Sequence, residues 1–224
     1  MLTCSAVLFD LDGVLVDSTP AVERVWRGWA NEHGLDPDYV VQWAHGRRSL
    51  ETIRRVAPYL DAPRENLNVE RREIEDLEGV RAIDGAAGLV ASIPPGYWTV
   101  VTSATRALAE ARMGHVNLPL PKDAITAELV ERGKPDPEPY LKGAALLGFP
   151  AAECLVIEDT AAGIVSGKAA GMQVIGLTTT YPAYELRDAD VVVRSCADIR
   201  VEVGVGQEDR VKLQLYFDYS PAEV

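Results

Sequence analysis

Two aspartates two residues apart, Asp10 and Asp12, close an apolar run of Val7, Leu8 and Phe9, and Gly13 follows at once. Along an extended chain such residues point to the same side, so their carboxylates repel unless a cation lies between them or their roles are divided. A metal-assisted nucleophile fits that pair; a strand-end turn, where Asp and Gly are favoured by geometry alone, is the plainer alternative. A second apolar run ends in Thr102 and Ser103, and Ala104 and Thr105 lead into a helix whose free backbone N–H groups favour an anion. Lys134 stands between Gly133 and Pro135, a rigid setting for one positive charge. A third run, residues 155–157, delivers Glu158 and Asp159, with Thr160 and Gly163 just beyond. Singly, Ser103 reads as a helix cap, Lys134 as solvated, and the second acidic pair as favourable charge at a helix start. Jointly, carboxylates, a hydroxyl and an ammonium gathered at strand and loop ends do not look accidental.

For these residues to meet, the apolar runs must form an open parallel sheet, whose ligands sit beyond the carboxyl ends of its strands. The chain after residue 83 alternates accordingly. Strands are expected at 98–102, near 124–126, and at 155–157, 174–177 and 191–193. Helices are expected near 85–93, 106–113, 138–147 and 161–170. Residues 17–81 show no convincing strand. Thr19 as a cap and Pro20 at the first helical position start a helix carrying Val22, Val25, Trp26 and Trp29. A second amphipathic stretch follows Ser49, and a third, at about 64–78, carries Leu67, Ile74 and Leu77. The Trp pair reads as insert core. Beyond residue 199, Val201, Val203 and Val205, then Val211, Leu213, Leu215 and Phe217, alternate with polar residues or Gly as in a β-hairpin. The expected fold is therefore α/β: a Rossmann-like parallel sheet core with a helical insert and a C-terminal β-hairpin.

The 224 residues suffice for a sizeable apolar core, and the net charge of −12 argues against nucleic acid or an acidic membrane surface as a partner. Cys4, Cys154 and Cys196 are widely spaced in apolar surroundings, which suits reduced core cysteines. No run approaches membrane-spanning length and the N-terminus has no secretory pattern, so a cytoplasmic protein is expected.

The order DLDGVLVDS, TSAT, GKPDPEPY and IEDTAAGIVSGKAAG resembles the four motifs of the haloacid dehalogenase superfamily of phosphatases. In detail it is similar to the branch holding sugar-phosphate phosphatases, glycerol-3-phosphate phosphatases and β-phosphoglucomutase. The resemblance runs from about residue 6 to 200 and includes HGRRSLETI at 45–53. It implies Asp10 as nucleophile and Asp12 as general acid and base, with Ser103, the Ala104 N–H and Lys134 on the phosphate. It implies Mg²⁺ held by Asp10, Asp12 through its carbonyl, and Asp159, with Glu158 a ligand or a supporting partner. It further implies a core of residues 1–16 and 84–224 and a mobile helical cap of 17–83, where His45, Arg47 or Arg48 could reach the substrate. The expected substrate is a small phosphorylated sugar or polyol, and the expected state a monomer. A phosphomutase is the alternative, weakened because the helix of residues 20–31 has no histidine. A non-catalytic phosphometabolite-binding protein is the other.

Overall fold

An apolar run without alternation belongs in a sheet covered on both faces. The structure, a computed structural model that describes residues 1–205 and 211–217, places it there. Strand β2 (Ala6–Phe9) is wholly buried between β5 (Trp98–Val100) and β6 (Cys154–Glu158). Strands β7 (Gln173–Leu177) and β8 (Val191–Val193) continue the sheet in the order β5-β2-β6-β7-β8, every pair parallel. Phe9 lies opposite both Val100 and Ile157, so the next residues of three strands open on one edge. Residues 124–126 contribute one bridge, Val101 with Ile125, rather than a strand.

The period of two sends alternate residues to two cores. Val7, Phe9, Leu155 and Ile157 pack against α5 (Ala86–Ala91) and α6 (Arg106–His115). Leu8, Val101, Val156 and Val174 pack on the other face with α7 (Glu138–Leu147) and α8 (Ala161–Ala169). Each such buried side chain contributes roughly 1.5–3 kcal/mol, so the strand ends that carry the polar residues are held rigidly.

The insert is bounded by β3 (Val16–Asp17) and β4 (Arg81–Ala82), which pair antiparallel as a short neck. Between them run α1 (Thr19–Glu32), α2 (Pro37–Ala44), α3 (Ser49–Val56) and α4 (Ala62–Glu75) around a separate cluster that includes Trp26, Trp29, Val40, Ile53 and Val69. The two Trp rings meet edge-on at 5.6 Å, as expected of insert core. Helix α2 was not expected; Asp36 caps it by accepting from the Asp38 N–H at 3.0 Å, and Pro37 opens it. Two local expectations are corrected. Ser18 rather than Thr19 is the N-cap residue of α1, and its hydroxyl serves Asp12 instead of the helix. On α4, Leu67 is 70% exposed while Glu73 is buried.

The expected hairpin is present as β9 (Ile199–Val205) and β10 (Val211–Phe217), and β1 (Leu2–Cys4) adds a third antiparallel strand beside β10. Leu213 and Leu215 are buried against the cluster beneath α5 and α6. The polar turn expected at residues 206–210 lies outside the described residues. The three cysteines are buried and free, and burial pushes the Cys4 and Cys196 thiols up to about 12 and Cys154 to about 11. Among the described residues no helix is long and apolar enough to cross a membrane.

Candidate active site

The open edge of the sheet brings the strand-end residues together. Asp10 follows β2, and its N–H donates to Ile157 O at 3.0 Å, which fixes it beside the end of β6. From the loop before α7, the Lys134 ammonium lies 2.8 Å from Asp10 Oδ1 and 2.6 Å from Glu158 Oε1, and donates to Val101 O at 3.2 Å. Glu158 is fully buried and fully served. Its Oε1 also accepts from Tyr140 OH at 2.9 Å, and its Oε2 accepts from Asp159 N–H, Thr160 N–H and Thr160 OH at 2.9, 3.0 and 3.0 Å. Burial alone would raise the Glu158 carboxyl, but Lys134 and these donors hold it below its ordinary range. Asp10 is pushed up to about 7 by burial, against the pull of Lys134 and with the push of Glu158. Asp159 is raised well above its ordinary value, by burial and by the charges of Glu158 and Asp10.

Gly13 has φ +77°, and a Cβ there would fall 1.9 Å from Asp159 Oδ2, so only glycine lets the turn after Asp12 lie against Asp159. Asp12 is held from two sides: Ser18 OH donates to Oδ1 at 2.7 Å and Arg112 Nη1 to Oδ2 at 2.8 Å. Above these groups is a cavity of about 60 Å³ between the core and the helical insert, lined by Asp10, Asp12, Thr102, Ser103 and Ala104 below. His45, Arg47, Trp26 and Glu73 line it from the insert, and Arg112 closes one wall. Burial lowers the His45 imidazole, opposed by the charges of Glu23 and Asp12.

The haloacid dehalogenase-like hydrolase family matches residues 4–171. The chain belongs to the haloacid dehalogenase-like hydrolases. It is 41% identical over 208 residues to hexitol phosphatase A of Escherichia coli, spanning 89% of this chain and 95% of that protein. It is 36% identical over 233 residues to glycerol-1-phosphate phosphohydrolase 2 of Saccharomyces cerevisiae, covering 97% of this chain and 92% of the relative. The crystal structure of β-phosphoglucomutase from Clostridium difficile superposes with a TM-score of 0.76 at 22% identity, over 86% of this chain and 92% of that one, which shows the shared fold.

Within this haloacid dehalogenase-like chain, the structure gathers Asp10, Asp12, Ser103, Lys134, Glu158 and Asp159 as the motifs led one to expect. The two donors expected to serve phosphate have internal partners: Ala104 N–H donates to Thr102 Oγ1 at 3.0 Å, and Ser103 OH to Gly46 O of the insert at 3.2 Å. His45 and Arg47 reach the cavity, and the Arg47 guanidinium also stacks on Trp43 at 4.9 Å. Arg48 is not brought to the cavity lining. It pairs with Glu51 and donates to Val130 O and Glu131 O at 3.2 Å each, tying insert to core. For a cation, Asp10, Glu158 and Asp159 each offer a carboxylate oxygen, all within 4.8 Å of one another, and Asp159 Oδ1 is buried with no hydrogen-bond partner. Hard oxygen donors with an orphaned buried anion fit Mg²⁺. Glu158, with both oxygens taken by protein donors, is placed to support that set. Sequence reasoning missed Arg112, Glu73 and Tyr140. The first two had a signal, since each is a charged residue in the buried phase of its helix, beside Leu108, Ala109 and Met113 on α6 and Val69 on α4.

Proposed function

We propose that this phosphoric monoester hydrolase acts on monophosphate esters of small sugars or polyols, depends on Mg²⁺, and passes through an aspartyl-phosphate on Asp10. The observation that carries the reading is one cavity holding a Lys134-paired Asp10 next to an Asp12 anchored by Ser18 and Arg112. Asp10 Oδ attacks phosphorus as the bond to the ester oxygen breaks, and Asp12 gives that oxygen its proton, so the alcohol departs neutral. Asp12 then takes a proton from the water that attacks phosphorus, which frees Asp10 and releases inorganic phosphate. Ser103 and the Ala104 N–H exchange their internal partners for phosphoryl oxygens, and Lys134 offsets charge on both Asp10 and the phosphoryl group. Asp10, Asp159 and the Asp12 carbonyl would hold Mg²⁺, which when bound supplies a divalent charge against the carboxylates and the phosphate.

Residues 17–83 act as a cap whose contacts at Gly46 and Arg48 close it over the cavity and exclude bulk water, with His45 and Arg47 facing the leaving group. The names of the hexitol and glycerol phosphate relatives support a polyol or sugar ester as the substrate class. The test is phosphate release, with Mg²⁺ and with chelator, from glycerol, hexose, pentose and nucleotide monophosphates, by the wild type and by Asp10→Asn. Release confined to polyol or sugar esters, lost with chelator and in the variant, is the expected result. Substantial turnover by Asp10→Asn removes the nucleophile assignment, and an isomerised ester in place of free phosphate marks a mutase.

A further inference from the structure

One wall of the cavity carries polar atoms that the phosphoryl chemistry leaves unused. Arg112, on core helix α6, and Glu73, on insert helix α4, are 3% and 4% exposed, and both line the cavity. Arg112 Nη1 is committed to Asp12, but Nε and Nη2 are buried without a hydrogen-bond partner. The nearest anion to Nη2 is Glu73 Oε1 at 3.5 Å, an ion pair too long to be a hydrogen bond. Buried donors are seldom left unpaired, and on the wall of a cavity such a donor marks where a ligand supplies the acceptor.

We propose that Glu73 and Arg112 form a hydroxyl-reading pair that selects esters carrying a hydroxyl on the carbon next to the phosphorylated one. The inference rests on the phosphatase reading above. A hydroxyl is both donor and acceptor, so one oxygen can accept from Arg112 Nε or Nη2, giving the unpartnered N–H its acceptor, while donating to the Glu73 carboxylate, which already holds a hydrogen bond with Trp26. A hydrogen atom in its place leaves the guanidinium unsatisfied, and a carboxylate there meets the negative charge of Glu73. The position along the substrate follows from Arg112 itself. Its planar guanidinium holds Asp12, which serves the ester oxygen, so its remaining N–H groups reach the neighbouring carbon rather than the far end of a chain. Because the two residues come from opposite sides of the cavity, the hydroxyl also joins insert to core.

The experiment compares kcat/KM for glycerol 3-phosphate and for 1,3-propanediol monophosphate, which lacks only that hydroxyl, in wild type, Glu73→Leu and Glu73→Gln. The wild type should prefer glycerol 3-phosphate by about a hundredfold or more, since sites built to bond a hydroxyl reject the analogue without it by up to about 10⁴–10⁵. Glu73→Leu should collapse the ratio toward one, largely through KM for glycerol 3-phosphate. Glu73→Gln, which keeps an acceptor and the volume, should retain more of it. Equal losses on both esters, or no preference in the wild type, overturn the inference while leaving the phosphatase reading standing. So does turnover of other esters with none of these two. No phosphate from any ester overturns the underlying reading and this inference with it.

Discussion

Removing the Lys134 ammonium is the perturbation whose consequences the structure fixes most closely. Its nitrogen is 2.8 Å from Asp10 Oδ1 and 2.6 Å from Glu158 Oε1, and its side chain is 2% exposed. Lys134→Met fills similar space but leaves two carboxylates buried against each other with no counter-charge. Breaking a buried pair from one side costs about 3–5 kcal/mol, because the remaining charge stays desolvated. For a chain of this size each kcal/mol moves Tm by about 2–4 °C, so a fall of roughly 6–20 °C is expected. The assay is thermal unfolding in chelator, where the protein's own charges decide the outcome. Adding Asp10→Asn to Lys134→Met should recover part of the loss, since it deletes one of the stranded charges; a coupling of about 2 kcal/mol lies within the range for residues in one network. The sign with pH follows from the same source. Without Lys134 both carboxyls titrate higher in the folded state, so the variant keeps its stability at low pH and loses it as pH rises. The deficit should therefore be larger at pH 8 than at pH 5. A variant melting within 2–3 °C of wild type at pH 8 in chelator, or additive effects of the two substitutions, would refute the idea that Lys134 is the counter-charge of this site. Phosphate release should fall at least about a hundredfold, the usual scale for losing a positioned charge in phosphoryl transfer.

Two further outcomes are expected. A Cβ at Gly163 would lie 1.7 Å from Glu158 Oε1, so Gly163→Ala must displace a carboxylate held by five donors; a loss of about 1–3 kcal/mol in a melt, with reduced turnover, is expected, and an unchanged Tm would show that the first turn of α8 can shift. Glu73 is pushed up to about 7 from 4.5 by burial, only partly offset by Arg112. A raised carboxyl contributes its full stability below the unfolded value and loses it as pH rises through about 7, so Glu73→Gln should match wild type near pH 4 and exceed it above pH 8 by up to about 3 kcal/mol, checked by denaturant unfolding across that range.

The core was legible because its signals are local. An apolar run of four, followed by Asp10 in one case and by Glu158 in the other, announces both a buried strand and its polar end within a few residues. Helix α7 falls on the residues its pattern marked out, with Pro at the start and Gly148 in the left-handed conformation at the end. Helix α2 escaped because eight residues give barely two turns of periodicity, and its clearest signal was the Asp36–Pro37 start rather than its apolar face. The partnership of β1 with β10 was invisible for a different reason. Leu2 pairs with Leu215 across almost the whole chain, and three alternating residues carry no record of a partner so distant. Ser18 shows how function can override a local rule: placed to cap α1, it gives its hydroxyl to Asp12.

The residues proposed for the phosphoryl chemistry and those that shape the rest of the cavity differ in the same way. Asp10, Asp12, Glu158 and Asp159 lie in short contiguous motifs because one strand end can present them together. Arg112 and Glu73 lie 39 positions apart on helices from opposite sides of the cavity, and neither belongs to a motif. Each breaks the apolar phase of its own helix, a local cost that a folded chain sustains only where a partner or a ligand repays it. Arg48 makes the converse case. It stands inside a motif-like stretch, HGRRS, next to Arg47, yet its guanidinium is spent on Val130 O and Glu131 O of the core. A charge in the wrong phase of a helix is thus a better guide to the selective wall of this cavity than a charge in a basic cluster, because burial forces the first to have a purpose and leaves the second free to be solvated or structural.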